Sequence, residues 1–142
     1  MVKSTDPDGV VTLMAYDAEG KQTLNAIDLN RNGVIDYGTD TVQFSDSFPA
    51  LDNASNPVMK SISKIWQSGD TSPTGGTVVS TSLSAVNGLS SSSQSIGVAN
   101  PSTSVTTLSG NGNWTTTSTA PDGTKSVSTY TAGKMEIGRA HV

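Results

Sequence analysis

The sequence predicts an all-β chain: a meander of short antiparallel hairpins, an incomplete fragment of a larger repeat sheet. Three observations lead there. Ser and Thr make up 41 of the 142 residues, and the hydroxyl-rich composition suits strands with solvated faces. Turn signals recur about every ten residues, the spacing of short strands joined by tight loops. Leu, Ile, Val and Phe together number 28, close to the fraction at which a large buried core becomes hard to build.

The length is that of one ordinary domain. Cys is absent, which removes disulfides, thiolate metal sites and Cys nucleophiles. A net charge of −4 and a pI near 4.6 argue against nucleic-acid or anionic-membrane partners. No apolar run is long enough for a membrane-spanning helix, and Met1–Asp8 lacks the charged start and apolar stretch of a signal peptide.

The elements follow in order. Pro7-Asp8-Gly9 marks a turn, because Pro presets φ and Gly accepts φ > 0. Val10–Tyr16 is a strand candidate, Asp17-Ala18-Glu19-Gly20 its turn, and Lys21–Ile27 the returning strand. Thr41–Ser45 makes another short strand. Asn56–Gln67 reads locally as a helix, with an N-cap residue, Pro57 at the first helical position and apolar residues at 58, 59, 62, 65 and 66. The surrounding β pattern nevertheless makes a strand over 57–67 the expectation. From Thr71 to Pro121 no charged residue occurs. That stretch could be a linker, but Val78, Val79, Leu83, Val86, Leu89, Ile96, Val98, Val105, Leu108 and Trp114 are spaced as in strands. Asn87-Gly88, Asn100-Pro101, Asn111-Gly112 and Pro121-Asp122-Gly123 supply the turns.

One segment has metal-ligand spacing. Asp28, Asn30, Asn32, Val34 and Asp36 stand at positions 1, 3, 5, 7 and 9 of a calcium loop, with Gly33 at position 6. Position 12 is Thr39 where a bidentate Glu is wanted, although Asp40 is adjacent, and the flanks read as strands. The competing reading, an Asn-Gly turn whose Asx side chains bond their own backbone, is the expectation; calcium is the alternative, and no other cofactor is expected. Catalysis has no residue set. Asp6, Asp8, Asp17 and Glu19 sit where turns favour carboxylates, and Ser90–Ser93 lack a base at motif spacing. Trp66 and Trp114 are expected as core plugs, with stacking on sugars as the alternative. Asn53-Ala54-Ser55 and Asn113-Trp114-Thr115 match the glycosylation triplet, a frequent coincidence in a chain rich in Ser and Thr.

A repeat organises the whole. Pro7-Asp8-Gly9 lies nine residues before Tyr16, followed by Gly20-Lys21; Pro121-Asp122-Gly123 lies nine before Tyr130, followed by Gly133-Lys134. The copies span about 7–21 and 121–134, and one such hairpin cannot bury its apolar face alone. The pattern resembles the bacterial YD-repeat (Rhs-type) proteins, whose units carry a Tyr-Asp pair, two spacers and a Gly. Tyr16-Asp17-Ala18-Glu19-Gly20 matches that unit, while Tyr130-Thr131-Ala132-Gly133 lacks the Asp and one turn residue. The resemblance extends over nearly all of residues 5–135. It implies a ribbon of successive hairpins that in longer members winds into a hollow shell around a C-terminal effector.

The expected function is therefore a non-catalytic structural segment of a secreted or cell-surface bacterial protein. Its partners would be neighbouring repeats of the same polypeptide, and beyond them an encapsulated effector or a surface glycan. The alternative is a calcium-stabilised adhesive or carbohydrate-binding β module. Residues 137–142 read as the translation of a common short-read sequencing adapter, with Glu136 at the junction, so the repeat segment is expected to be 1–136 and the biological chain to continue beyond Met135. His141, the single histidine, belongs to that tail. Sheet edges that lack their neighbouring repeats predict association and weak stability.

Overall fold

The computed structural model describes residues 1–131 and 134–140. Gly133 of the second repeat copy and His141 lie outside the described residues. Among these residues, eleven strands form one open antiparallel sheet in which spatial order equals chain order. They are β1 (Val2–Thr5), β2 (Val11–Tyr16), β3 (Gln22–Ile27), β4 (Thr41–Leu51), β5 (Pro57–Ile65), β6 (Thr77–Ala85), β7 (Ser90–Ser95), β8 (Ser102–Gly110), β9 (Asn113–Thr119), β10 (Lys125–Thr131) and β11 (Lys134–Ala140). The chain is thus the all-β hairpin meander that its turn spacing predicts. Among the described residues no helix is long and apolar enough to cross a membrane.

The ambiguous segment is strand β5. Pro57 sits at its first position, where a missing N–H costs least, and its carbonyl accepts the Val86 N–H at 3.3 Å. Pairing on the sheet, together with the β-branched Val58, Ile62 and Ile65, overrides the local helix signal. Two further differences concern length. β4 runs on to Leu51, well past Ser45, and β1 forms from four exposed residues because the Pro7 turn sets Val2 opposite Met14 and Thr5 opposite Val11.

Contacts divide the chain into two units, residues 1–47 with 61–79, and residues 48–60 with 80–142. The first has a compact core. Leu13, Ala26 and Val42 lie opposite one another across β2, β3 and β4, and all three are essentially inaccessible. Val11 and Trp66 complete the cluster, against which Leu24, Ile35, Tyr37 and Phe44 pack. Trp66 follows β5 and closes this core. Its ring centroid lies 5.1 Å from that of Tyr37, its N–H donates to the Val42 carbonyl at 3.2 Å, and its Nε1–H donates to the Ser72 carbonyl at 2.8 Å. Gly76, at φ +84°, lies against the indole so closely that a Cβ there would stand 3.0 Å from the ring.

The second unit is built differently, for Val58 is its only fully buried apolar side chain among the described residues. Rows of matched side chains run across its strands instead. Ser84, Ser91, Ser104, Ser118 and Ser126 stand in register from β6 to β10. On the same face, Thr106, Thr116 and Ser128 form a second row, with 2.8 Å between the two Thr hydroxyls. A third row sets Leu108, Trp114, Tyr130 and Met135 side by side. Cross-strand pairs contribute roughly 0.2–1 kcal/mol each, so the stability of this unit is spread over many small increments and the backbone ladder.

Candidate functional site

The repeat is more frequent in three dimensions than in the sequence. One five-residue turn occurs at Asp6–Val10, Asp17–Lys21, Asp52–Asn56, Ala85–Leu89 and Ala120–Thr124. In each, the N–H of the fourth residue donates to the carbonyl of the first, at 2.9 to 3.2 Å. That fourth residue is left-handed every time: Gly9, Gly20, Gly88 and Gly123, and Ser55 at φ +63°. The N–H of the fifth residue always meets an Asx side-chain oxygen. Asp6, Asp17 and Asp52 supply it from the first position to Val10, Lys21 and Asn56; where the first residue is Ala, Asn87 and Asp122 supply it from the third to Leu89 and Thr124. This is the three-residue hairpin loop, a type I turn with a left-handed residue after it, stapled by an Asx oxygen.

The motif residues therefore act mechanically. Asp17 caps its turn by accepting from both Glu19 and Lys21. Lys21, which follows the motif Gly, reaches the neighbouring strand, where its Nζ lies 2.5 Å from an Asp46 carboxylate oxygen and 2.9 Å from the Ser47 carbonyl. Tyr16 is exposed, with its hydroxyl near the Met14 sulfur. Tyr130 stacks on Trp114, ring centroids 4.0 Å apart and planes within 12°. Pro7, Asp8, Pro121 and Asp122 occupy the turn tips.

The segment with calcium spacing lies in the loop from Asp28 to Asp40, between β3 and β4, and is not a tight Asn-Gly turn. Asp28 is buried and accepts the N–H groups of Asn32 and Gly33, at 3.2 and 2.8 Å. Asp36 accepts both Asn30 and Asn32 side-chain amides, at 2.8 and 2.6 Å on one oxygen. The amide oxygens of Asn30 and Asn32 accept the N–H of Asn32 and Val34. Asp40, also buried, holds the two ends together by accepting from Leu29 at 3.0 Å and Asp36 at 2.9 Å. The spacing therefore gathers Asp28, Asn30, Asn32 and Asp36 in one loop, while Val34 is exposed. Their oxygens accept N–H groups, and no group of three acidic, His or Cys side chains able to hold a metal ion occurs among the described residues.

Asp36, Asp46 and Asp52 are held below the ordinary carboxylate range. The Asn30 and Asn32 amides do this for Asp36, the Lys21 ammonium for Asp46, and the Asn56 side chain and N–H for Asp52. A depressed carboxylate stabilises the fold above its unfolded pKa, and that stabilisation is lost as pH falls through the folded value. The thermal midpoint is therefore expected to stay level from neutrality to about pH 5 and to fall below about pH 4. A midpoint that rises on acidification in a pH series of melts contradicts this.

The second unit offers different chemistry. A trough of about 640 Å³ is lined by Ser and Thr residues, Leu83 and Ala120, with no charged side chain. Ser90–Ser93 stand on β7 opposite Val105, Ser104, Thr103 and Ser102, so hydroxyls and methyls surround them. The two indoles have separate fates. Trp66 is a core plug as expected; Trp114 is 38% exposed, but it turns a ring face to Tyr130 and is not offered as a flat platform.

Sequence reasoning missed the anchoring role of Asp40 and the Asp52 turn. Asp40 was visible only as an oxygen next to an unfilled calcium position, and the Asp52 turn lacks the Gly that marked the others. No family model, curated protein or solved structure matches this chain.

Proposed function

We propose that the chain is a non-catalytic structural segment of a secreted or cell-surface bacterial protein of the YD-repeat type. It forms one stretch of a β-sheet shell or surface scaffold, and its partners are neighbouring repeats of the same polypeptide. The recurrence of one stapled turn at five places carries this reading. A chain that repeats the same corner and pairs each strand with the next in sequence extends a sheet by addition, as repeat architectures do. The hydroxyl rows and the Trp114–Tyr130 stack support it, because they join strand to strand.

An additive sheet tolerates an added hairpin. Inserting a tandem copy of residues 102–124 after Thr124 is expected to preserve the far-UV β signal per residue and a cooperative melt. Loss of cooperative unfolding in that variant overturns the scaffold reading. The alternative, a calcium-stabilised adhesive or carbohydrate-binding module, is favoured by the gathering of Asp28, Asn30, Asn32 and Asp36 in one loop. Running the same melts with calcium and with chelator separates the two. Equal midpoints leave the loop as a self-bonded corner, and a calcium-dependent rise assigns it to a cation, since a ligand bound only by the native state must stabilise it.

A further inference from the structure

Asn or Asp directly precedes Gly at five places: Asp8-Gly9, Asn32-Gly33, Asn87-Gly88, Asn111-Gly112 and Asp122-Gly123. Such pairs are chemically labile, because a glycine nitrogen without a neighbouring Cβ can reach the preceding side-chain carbonyl carbon. The fold engages four of the five glycine N–H groups. Gly9 donates to Asp6, Gly88 to Ala85 and Gly123 to Ala120, all to main-chain oxygens at 2.9 to 3.0 Å, and Gly33 donates to the Asp28 carboxylate at 2.8 Å. The side chains of Asn32 and Asn87 are held as well, by Asp36 and Val34 and by Leu89 respectively.

Asn111-Gly112 differs. The β8–β9 hairpin closes through the Gly110–Asn113 pair, leaving Asn111 and Gly112 as the two central residues, exposed and at φ +49° and +75°. In such a two-residue loop the central N–H groups are not used by the ladder. Among the described residues neither the Gly112 N–H nor the Asn111 amide has a hydrogen-bond partner.

We propose that Asn111 is a site of spontaneous deamidation, the position at which this chain modifies itself first. The Gly112 nitrogen attacks Asn111 Cγ, the new N–C bond closes a five-membered imide, and the Cγ–Nδ2 bond breaks. Ammonia leaves, carrying the proton of the Gly112 N–H. Water then opens the imide, at Cγ to give aspartate or at the main-chain carbonyl to give isoaspartate. Either product places a negative charge in the uncharged stretch from Thr71 to Pro121. Isoaspartate also lengthens the main chain by one carbon, which the two-residue loop does not accommodate, so the Leu108–Trp114 pairing beside it loosens.

The test follows the one-dalton gain at each Asn-Gly site by peptide mass mapping, on the full chain aged at mildly alkaline pH with and without denaturant. In denaturant the three asparagines are expected to react at similar rates. In the native protein Asn111 keeps its rate, while Asn32 and Asn87 slow by about tenfold for each hydrogen bond that must break. Native slowing at Asn111 equal to that at the other two overturns the proposal, as does a native rate led by Asn32 or Asn87.

Discussion

Replacing Trp66 by Ala is expected to lower the stability of the first unit by about 3–5 kcal/mol, the range for removing a buried aromatic from a packed core. Three losses coincide. The indole leaves a cavity beside Tyr37, the Ser72 carbonyl loses its donor, and Gly76, which approaches the ring face, loses its packing surface. Trp66→Phe keeps the ring contact without the Nε1–H and is expected to cost less than half as much. Hydrogen exchange at the Leu13, Ala26 and Val42 amides reads the unit directly, since these residues share the core with Trp66. A loss under about 0.5 kcal/mol, within the range of an ordinary surface change, contradicts the assignment of Trp66 as the closing residue.

Asp40→Ala is the second large effect, roughly 3 kcal/mol, because hydrogen bonds to a charged acceptor contribute more than neutral ones and removal leaves two main-chain donors unsatisfied. Those donors are the N–H groups of Leu29 and Asp36, eleven and four residues away. Without them the loop loses its tie, and Ile35 and Tyr37, which that loop lays on the core, lose their place. Asp40→Asn retains one acceptor and turns the other into a donor, so it is expected to recover about half of the loss. Denaturant melts of the two variants measure this. Identical midpoints for wild type and Asp40→Ala contradict the anchoring role.

The fold was legible because its punctuation is local. Gly after Asn or Asp marks a left-handed corner whatever surrounds it, so Gly9, Gly88, Gly112 and Gly123 placed hairpins, and Gly20 placed another at the end of Asp17-Ala18-Glu19-Gly20. The corner at Ser55 was not legible, since a left-handed Ser is an outcome of pairing on both sides and has no residue signature. The candidate loop shows the opposite limit. Its oxygen spacing is plain in the sequence, but whether those oxygens face a cation or main-chain N–H groups depends on the path of the loop and on the burial of Asp40. Likewise, nothing near Trp66 or Trp114 distinguishes them. One ends a strand beside a core, and the other stands mid-row on a sheet with both faces wet.

Because spatial order equals chain order, each strand meets the strand next to it in sequence, mostly across turns of a few residues and at the longest across the loop from Asp28 to Asp40. The entropy of closure is then small at every step, and the separation between paired residues stays low for a β protein, which favours fast folding. A chain of this topology can therefore assemble in the direction of synthesis, each strand pairing with its predecessor as it leaves the ribosome, and no strand waits unpaired for a distant partner.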